Sequence, residues 1–157
     1  MIEMIEAGVM DDDWHGYLYI MGIGEKEAFT PLYVGKAEKL GKSNNLSANL
    51  KNIRTNHGFF GRWGYNTDYH VGDLSHALFE FKAYRDPAKK YRRWAQALFQ
   101  TFDPPRLREP VFVYLAPWFT CSRGPSGLMG SVPAAEKEVI ALASALQGER
   151  LLNTDGR

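Results

Sequence analysis

Residues 16–37 read GYLYIMGIGEKEAFTPLYVGKA. Two short runs in and beside this stretch, HGYLYIMG at 15–22 and PLYVGK at 31–36, are rich in β-formers. Glycine, charge and proline fill the gap between them. Such runs read as strands and the gap as a turn, so the spacing predicts an antiparallel hairpin with a long loop. Each strand carries a tyrosine, Tyr19 and Tyr33. A hairpin core needs only apolar bulk, which leucine or valine supplies. Tyrosine adds a hydroxyl that must be hydrogen-bonded or put to use.

The rest of the chain supplies the cover for that hairpin. Residues 1–13 read as a short helix or a loose arm. A helix is predicted from about Leu46 to Asn56, capped by Ser43 or Asn44 and stopped by Gly58. It carries Leu46, Leu50 and Ile53 on one face and Arg54 and His57 on the adjacent one. The aromatic, glycine-rich stretch 58–73 reads as an irregular loop, and HALFEFKAY at 76–84 alternates like a strand. Asp86-Pro87 opens a helix whose spacing of Tyr91, Trp94, Leu98 and Phe102 runs to residue 102. VFVYLAP at 111–117 is a third strand of the core, CSRGPSGLMGS at 121–131 a loop, and 132–148 a helix with proline near its start and glycine at its end. The order is β-β-α, a β-α insertion, then β-α. That order predicts one α+β domain over 1–157: a small, mainly antiparallel three-stranded sheet flanked by helices.

Composition removes several classes of function. With 45% hydrophobic and 24% charged residues the chain is an ordinary globular one. Its apolar runs are too short to cross a membrane, so no membrane partner is expected. MIEMIEAGVMDDDW is acidic and unlike a secretory signal, which makes the cytoplasm the expected compartment. The single cysteine, Cys121, excludes an internal disulfide and a cysteine-based zinc site. His15, His57, His70 and His76 show no zinc-binding spacing. Gly22-Ile23-Gly24 lacks the rest of a phosphate-binding glycine loop. The net charge of +1 is no nucleic-acid signature, but it hides a segregation. Seven Lys or Arg lie between Arg85 and Arg108 against Asp86 and Asp103, while acids gather at 11–13.

The set Tyr19, YVGKA at 33–37, a helix arginine at 54, a helix glutamate at 136 and Asn153 resembles the GIY-YIG endonuclease family. YLY at 17–19 is similar to the first family motif and YVGKA to the second. His57 is similar to the histidine that follows the arginine. Glu136 is similar to the family glutamate, with Val139, Ile140 and Leu142 as the apolar residues behind it; Glu138 is the alternative. Arg62 is the reserve arginine. Tyr17 stands where the family usually has glycine. The resemblance covers 16–57 and 111–153, and 58–110 is then an insertion.

That resemblance implies a metal-dependent hydrolysis of phosphodiester bonds in DNA. Such a reaction needs an activated water, charge neutralisation at phosphorus and help for the leaving oxygen. Glu136 is the implied ligand of Mg²⁺ or Mn²⁺; a lone carboxylate suits a cation that keeps most of its waters. Arg54 is the implied phosphate fork. Tyr19 and Tyr33 are the implied groups that position or deprotonate the water, aided by Lys36; a tyrosine base needs its pKa drawn down from about 10. His57 is an implied proton donor or phosphate ligand. Gly35 permits close approach and Asn153 holds the site's geometry. Lys89, Lys90, Arg92 and Arg93, with Arg62, are the expected DNA contacts, and Arg106 and Arg108 extend them. Cutting two strands with one site implies a homodimer or successive nicks. The competing expectation is a nucleic-acid-binding module on the same fold without catalysis.

Overall fold

The computed structural model describes residues 2–41, 43–47, 50, 89–102 and 105–154. The predicted hairpin is its centre. Strand β1 runs Trp14–Ile23 and β2 runs Thr30–Glu38, with a 3-10 turn at Lys26–Ala28 between them. Strand β5, Val111–Phe119, pairs with the other side of β1, and the sheet order is β2-β1-β5 with both pairings antiparallel. Register places Tyr19 between Gly35 and Leu115, and Met21 between Tyr33 and Val113. The α+β class and the small antiparallel three-stranded sheet are therefore as expected.

Strand alternation gives the sheet two different faces. Tyr17, Tyr19 and Met21 of β1 turn to one of them. There they pack with Tyr33, with Ile5 of helix α1 (Ile2–Met10), with Leu50, and with Trp94 and Leu98 of helix α2 (Lys89–Leu98). Leu18 and Ile20 turn the other way. They meet Val132, Ala135, Val139, Ile140 and Ala143 of helix α3 (Val132–Gln147). Helix α3 starts where the sequence says it must. Ser131 is extended at φ −69°, ψ 160°, and its hydroxyl accepts the Ala134 N–H at 3.4 Å. Gly148, at φ 40°, ends it by donating its N–H to the Ser144 carbonyl.

Two predicted boundaries are corrected. The helix read to Phe102 stops at Leu98. Residues Phe99–Phe102 form strand β3, paired with β4 (Pro105–Leu107) through Phe99–Leu107 and Phe102–Pro105. Consecutive prolines at 104 and 105 deny a helix its next turn, and the fully buried Phe99 fits a short hairpin as well as a helix face. Leu46 does not open a helix either. It forms an antiparallel bridge with Leu40 across a turn in which Asn44 takes φ 56°. Asparagine tolerates that left-handed conformation, so the residue read as a helix cap serves the turn. Leu50 is helical; the rest of the helix predicted to Asn56 and the strand predicted at 76–84 lie outside the described residues.

Candidate functional site

The tyrosines predicted from the two strands meet. Their rings are 6.0 Å apart at 39°. They are diagonal neighbours across the β1–β2 ladder, a separation that aromatic side chains bridge. Tyr19 is only 8% exposed; Tyr33 is half-buried. On its far side Tyr33 takes the edge of Trp94 at 4.8 Å and 67°. On the near side Tyr17 bridges Tyr19 and Trp14, at 6.3 and 6.4 Å. The five rings form one continuous row. Tyr17, which departs from the family pattern, is thus a core residue, 1% exposed. Trp94 was not read as part of the site. The signal was present, because Trp94 and Leu98 are the apolar pair at helical spacing in a basic segment. Its indole N–H is buried without an acceptor among the described residues.

Gly35 stands directly opposite Tyr19. A Cβ built there would land against the ring carbon Cζ and the hydroxyl oxygen of Tyr19, inside contact distance. The missing side chain is what lets the Tyr19 ring and hydroxyl lie against Gly35. Gly35→Ala is expected to push that ring aside and to destabilise the fold by about 1–3 kcal/mol, the usual cost of overpacking. Thermal denaturation checks this; an unchanged melting temperature would mean that the ring is not seated on Gly35.

Asn153 holds the same strand from outside. It is 6% exposed and 119 residues from Val34 in sequence, yet it grips both backbone groups of Val34. The Val34 N–H donates to Oδ1 and Nδ2 donates to the Val34 carbonyl, both at 2.9 Å. The Leu152 N–H donates to the Leu32 carbonyl at 2.7 Å. A side-chain amide mimics a neighbouring strand here and covers part of an exposed sheet edge. Asn153 therefore fixes the strand that carries Tyr33 and Gly35.

Other candidates are placed less simply. Lys36 alternates with Gly35 and projects from the opposite face of β2, where its ammonium pairs with Glu38 at 2.5 Å. Glu38 was not foreseen; two charges two residues apart on one strand share a face, which is the signal that finds it. Glu136 is half-buried on α3, one turn before Val139 and Ile140. That helix lies on the Leu18–Ile20–Val34 face, whereas Tyr19 and Tyr33 pack on the reverse face. Leu142, the third apolar residue behind Glu136, is exposed. The alternative acid, Glu138, is committed elsewhere: its Oε2 accepts the Ser126 N–H at 3.0 Å and staples the 121–131 loop to α3.

Of the expected DNA contacts, Lys89, Lys90 and Arg92 lie on α2. Arg93 is half-buried and donates to the Leu151 carbonyl at 3.1 Å, tying α2 to the segment that carries Asn153. Arg54, His57 and Arg62 lie outside the described residues. No helix among the described residues is long and apolar enough to cross a membrane.

Among the described residues no three His, Cys, Asp or Glu side chains converge to ligate a cation. A single half-buried carboxylate such as Glu136 still fits a hydrated Mg²⁺ or Mn²⁺, which needs one or two protein oxygens and takes the rest from water and phosphate. The chain matches no known protein-family model, no curated protein and no solved structure.

Proposed function

We propose that this protein is a metal-dependent endonuclease of the GIY-YIG type that hydrolyses phosphodiester bonds in DNA, and that its β2-β1-β5 sheet is the core of that fold. One observation carries the reading: Tyr19 and Tyr33 meet over Gly35 on a strand clamped by Asn153. Three residues of the family pattern from one hairpin, and a fourth from the far end of the chain, thus meet at one strand. Leu50 is buried in the same cluster, and Arg54 follows it by four positions in the sequence.

In this mechanism Tyr33 and Tyr19 orient the attacking water by hydrogen bonds, and one of them, ionised to the phenolate, takes the water's proton and becomes the neutral phenol as the P–O bond forms. Arg54 holds the scissile phosphate by its two-pronged guanidinium and neutralises charge that grows on the phosphoryl oxygens. His57 serves the leaving oxygen, which gains a proton as its bond to phosphorus breaks. Glu136 would hold the divalent cation, whose chemistry is to polarise the phosphate. Lys89, Lys90 and Arg92 on α2 grip the flanking backbone, so binding weakens with salt.

Two features favour the rival reading, a binding module without catalysis. Tyr19 is buried like a core residue, and α3 carries Glu136 over the other face of the sheet. Cleavage by the wild-type chain separates the readings, and Glu136→Gln tests the metal ligand. The nuclease account predicts that cleavage in Mg²⁺ falls by about 10²-fold or more while DNA binding is kept. Unchanged cleavage in that variant would remove Glu136 from the site.

A further inference from the structure

Beside the aromatic row lies a cleft of about 370 Å³ that the mechanism above does not use. Its floor is aliphatic, built from Ile23, Leu32, Val111 and Leu152. Its rim holds Arg108 and Glu109 from the turn before β5, and Glu149 and Arg150 from the turn after α3. None of these four charged side chains makes an ion pair or a hydrogen bond among the described residues. The cleft adjoins the proposed site. Leu32 precedes Tyr33 and the lining residue Arg93 precedes Trp94, the two rings in contact at 4.8 Å.

We propose that this cleft seats one unpaired nucleotide of the DNA substrate. The inference rests on the nuclease reading for the identity of the polymer. The cleft's own chemistry selects the ligand. The volume is within the range of about 300–1,000 Å³ of small-molecule sites. A simple anion has no use for an aliphatic floor or two carboxylates. An apolar ligand has no use for two unpaired guanidinium groups. A nucleotide uses all three features. Its phosphate takes the forks of Arg108 and Arg150, its base lies on the aliphatic floor, and its amino groups donate to Glu109 or Glu149. A paired base has its amino groups engaged and its faces stacked, so the seat discriminates for an unpaired one.

The test is fluorescence anisotropy on the full chain in EDTA, where hydrolysis is blocked. The probes are a fully paired duplex and the same duplex carrying one unpaired nucleotide. The unpaired nucleotide is expected to tighten binding about tenfold, the size of one good base contact. Arg108→Ala/Arg150→Ala removes that preference, read as the ratio of the two affinities within the same variant, so that any phosphate contact Arg108 makes to the paired duplex cancels. Arg108→Lys/Arg150→Lys, which keeps the charge and loses the fork, retains only part of it. An unchanged melting temperature in both variants shows that the fold is intact. No preference in the wild-type chain, or a preference that survives the alanine pair, overturns the proposal. Plasmid cleavage in Mg²⁺ by the same preparation separates the two readings. Cleavage without the preference overturns the cleft and leaves the nuclease; the preference without cleavage supports the cleft and overturns the nuclease.

Discussion

Tyr33→Phe is expected to lower the rate of DNA cleavage by about 10²- to 10⁴-fold, the range of a lost general acid–base group. The change removes one oxygen and nothing else. The ring keeps its edge contact with Trp94 at 4.8 Å and its tilted contact with Tyr19 at 6.0 Å. Aromatic pairing of this kind contributes about 0.5–1.5 kcal/mol per pair beyond burial, and phenylalanine preserves it. The fold should lose only the hydroxyl's hydrogen bond, about 1 kcal/mol. The two roles open to this residue therefore diverge. A core tyrosine gives a small fall in melting temperature and full activity. A catalytic one gives nearly the same melting temperature and almost no activity. Rates at saturating substrate, taken beside a melting curve for the same preparation, tell them apart. Wild-type rates in Tyr33→Phe would end the assignment of this hydroxyl to the reaction.

Asn153→Leu carries the largest expected effect on stability. Leucine branches at Cγ as asparagine does, but it is bulkier and can neither accept from the Val34 N–H nor donate to its carbonyl. Both 2.9 Å bonds disappear and both backbone groups stay buried. A buried polar group left unpaired costs about 1–3 kcal/mol, so the pair costs about 2–6 kcal/mol. In a chain of this size that is a fall of about 5–20 °C in melting temperature. Asn153→Asp is informative beside it. A carboxylate still accepts from the Val34 N–H but faces the carbonyl with an acceptor, so it rescues part of the loss at most. A leucine variant as stable as the wild type would show that Asn153 does not anchor β2.

The hairpin was legible because its signals are local. Period-two alternation and a glycine-bounded turn need no knowledge of the rest of the fold. Helix α3 was legible for the same reason, with Pro133 near one end and Gly148 at the other. Features that depend on distant partners were not. The spacing of Tyr91, Trp94 and Leu98 continues by arithmetic to Phe102. Only the return of β4 and the two prolines turn Phe99–Phe102 into a strand. Arg93 read as one of a run of phosphate contacts, because nothing local announces that the Leu151 carbonyl lies 58 residues away and within reach. The same holds for Glu138: its bond to the Ser126 N–H follows from the path of a loop that composition leaves undefined. The candidate site divides along this line. Tyr19, Tyr33 and Gly35 come together through one strand pairing that the sequence predicts. The position of Glu136 depends on which face α3 covers, and strand and helix patterns alone do not decide that.

The most direct test of the account is the incubation of purified protein with supercoiled plasmid in Mg²⁺, in Mn²⁺ and in EDTA, beside a Tyr33→Phe/Glu136→Gln double variant. The account predicts nicking or linearisation that requires the metal and is absent from the variant. DNA binding in a gel shift without cleavage in either metal, or cleavage that the double variant retains, would contradict it.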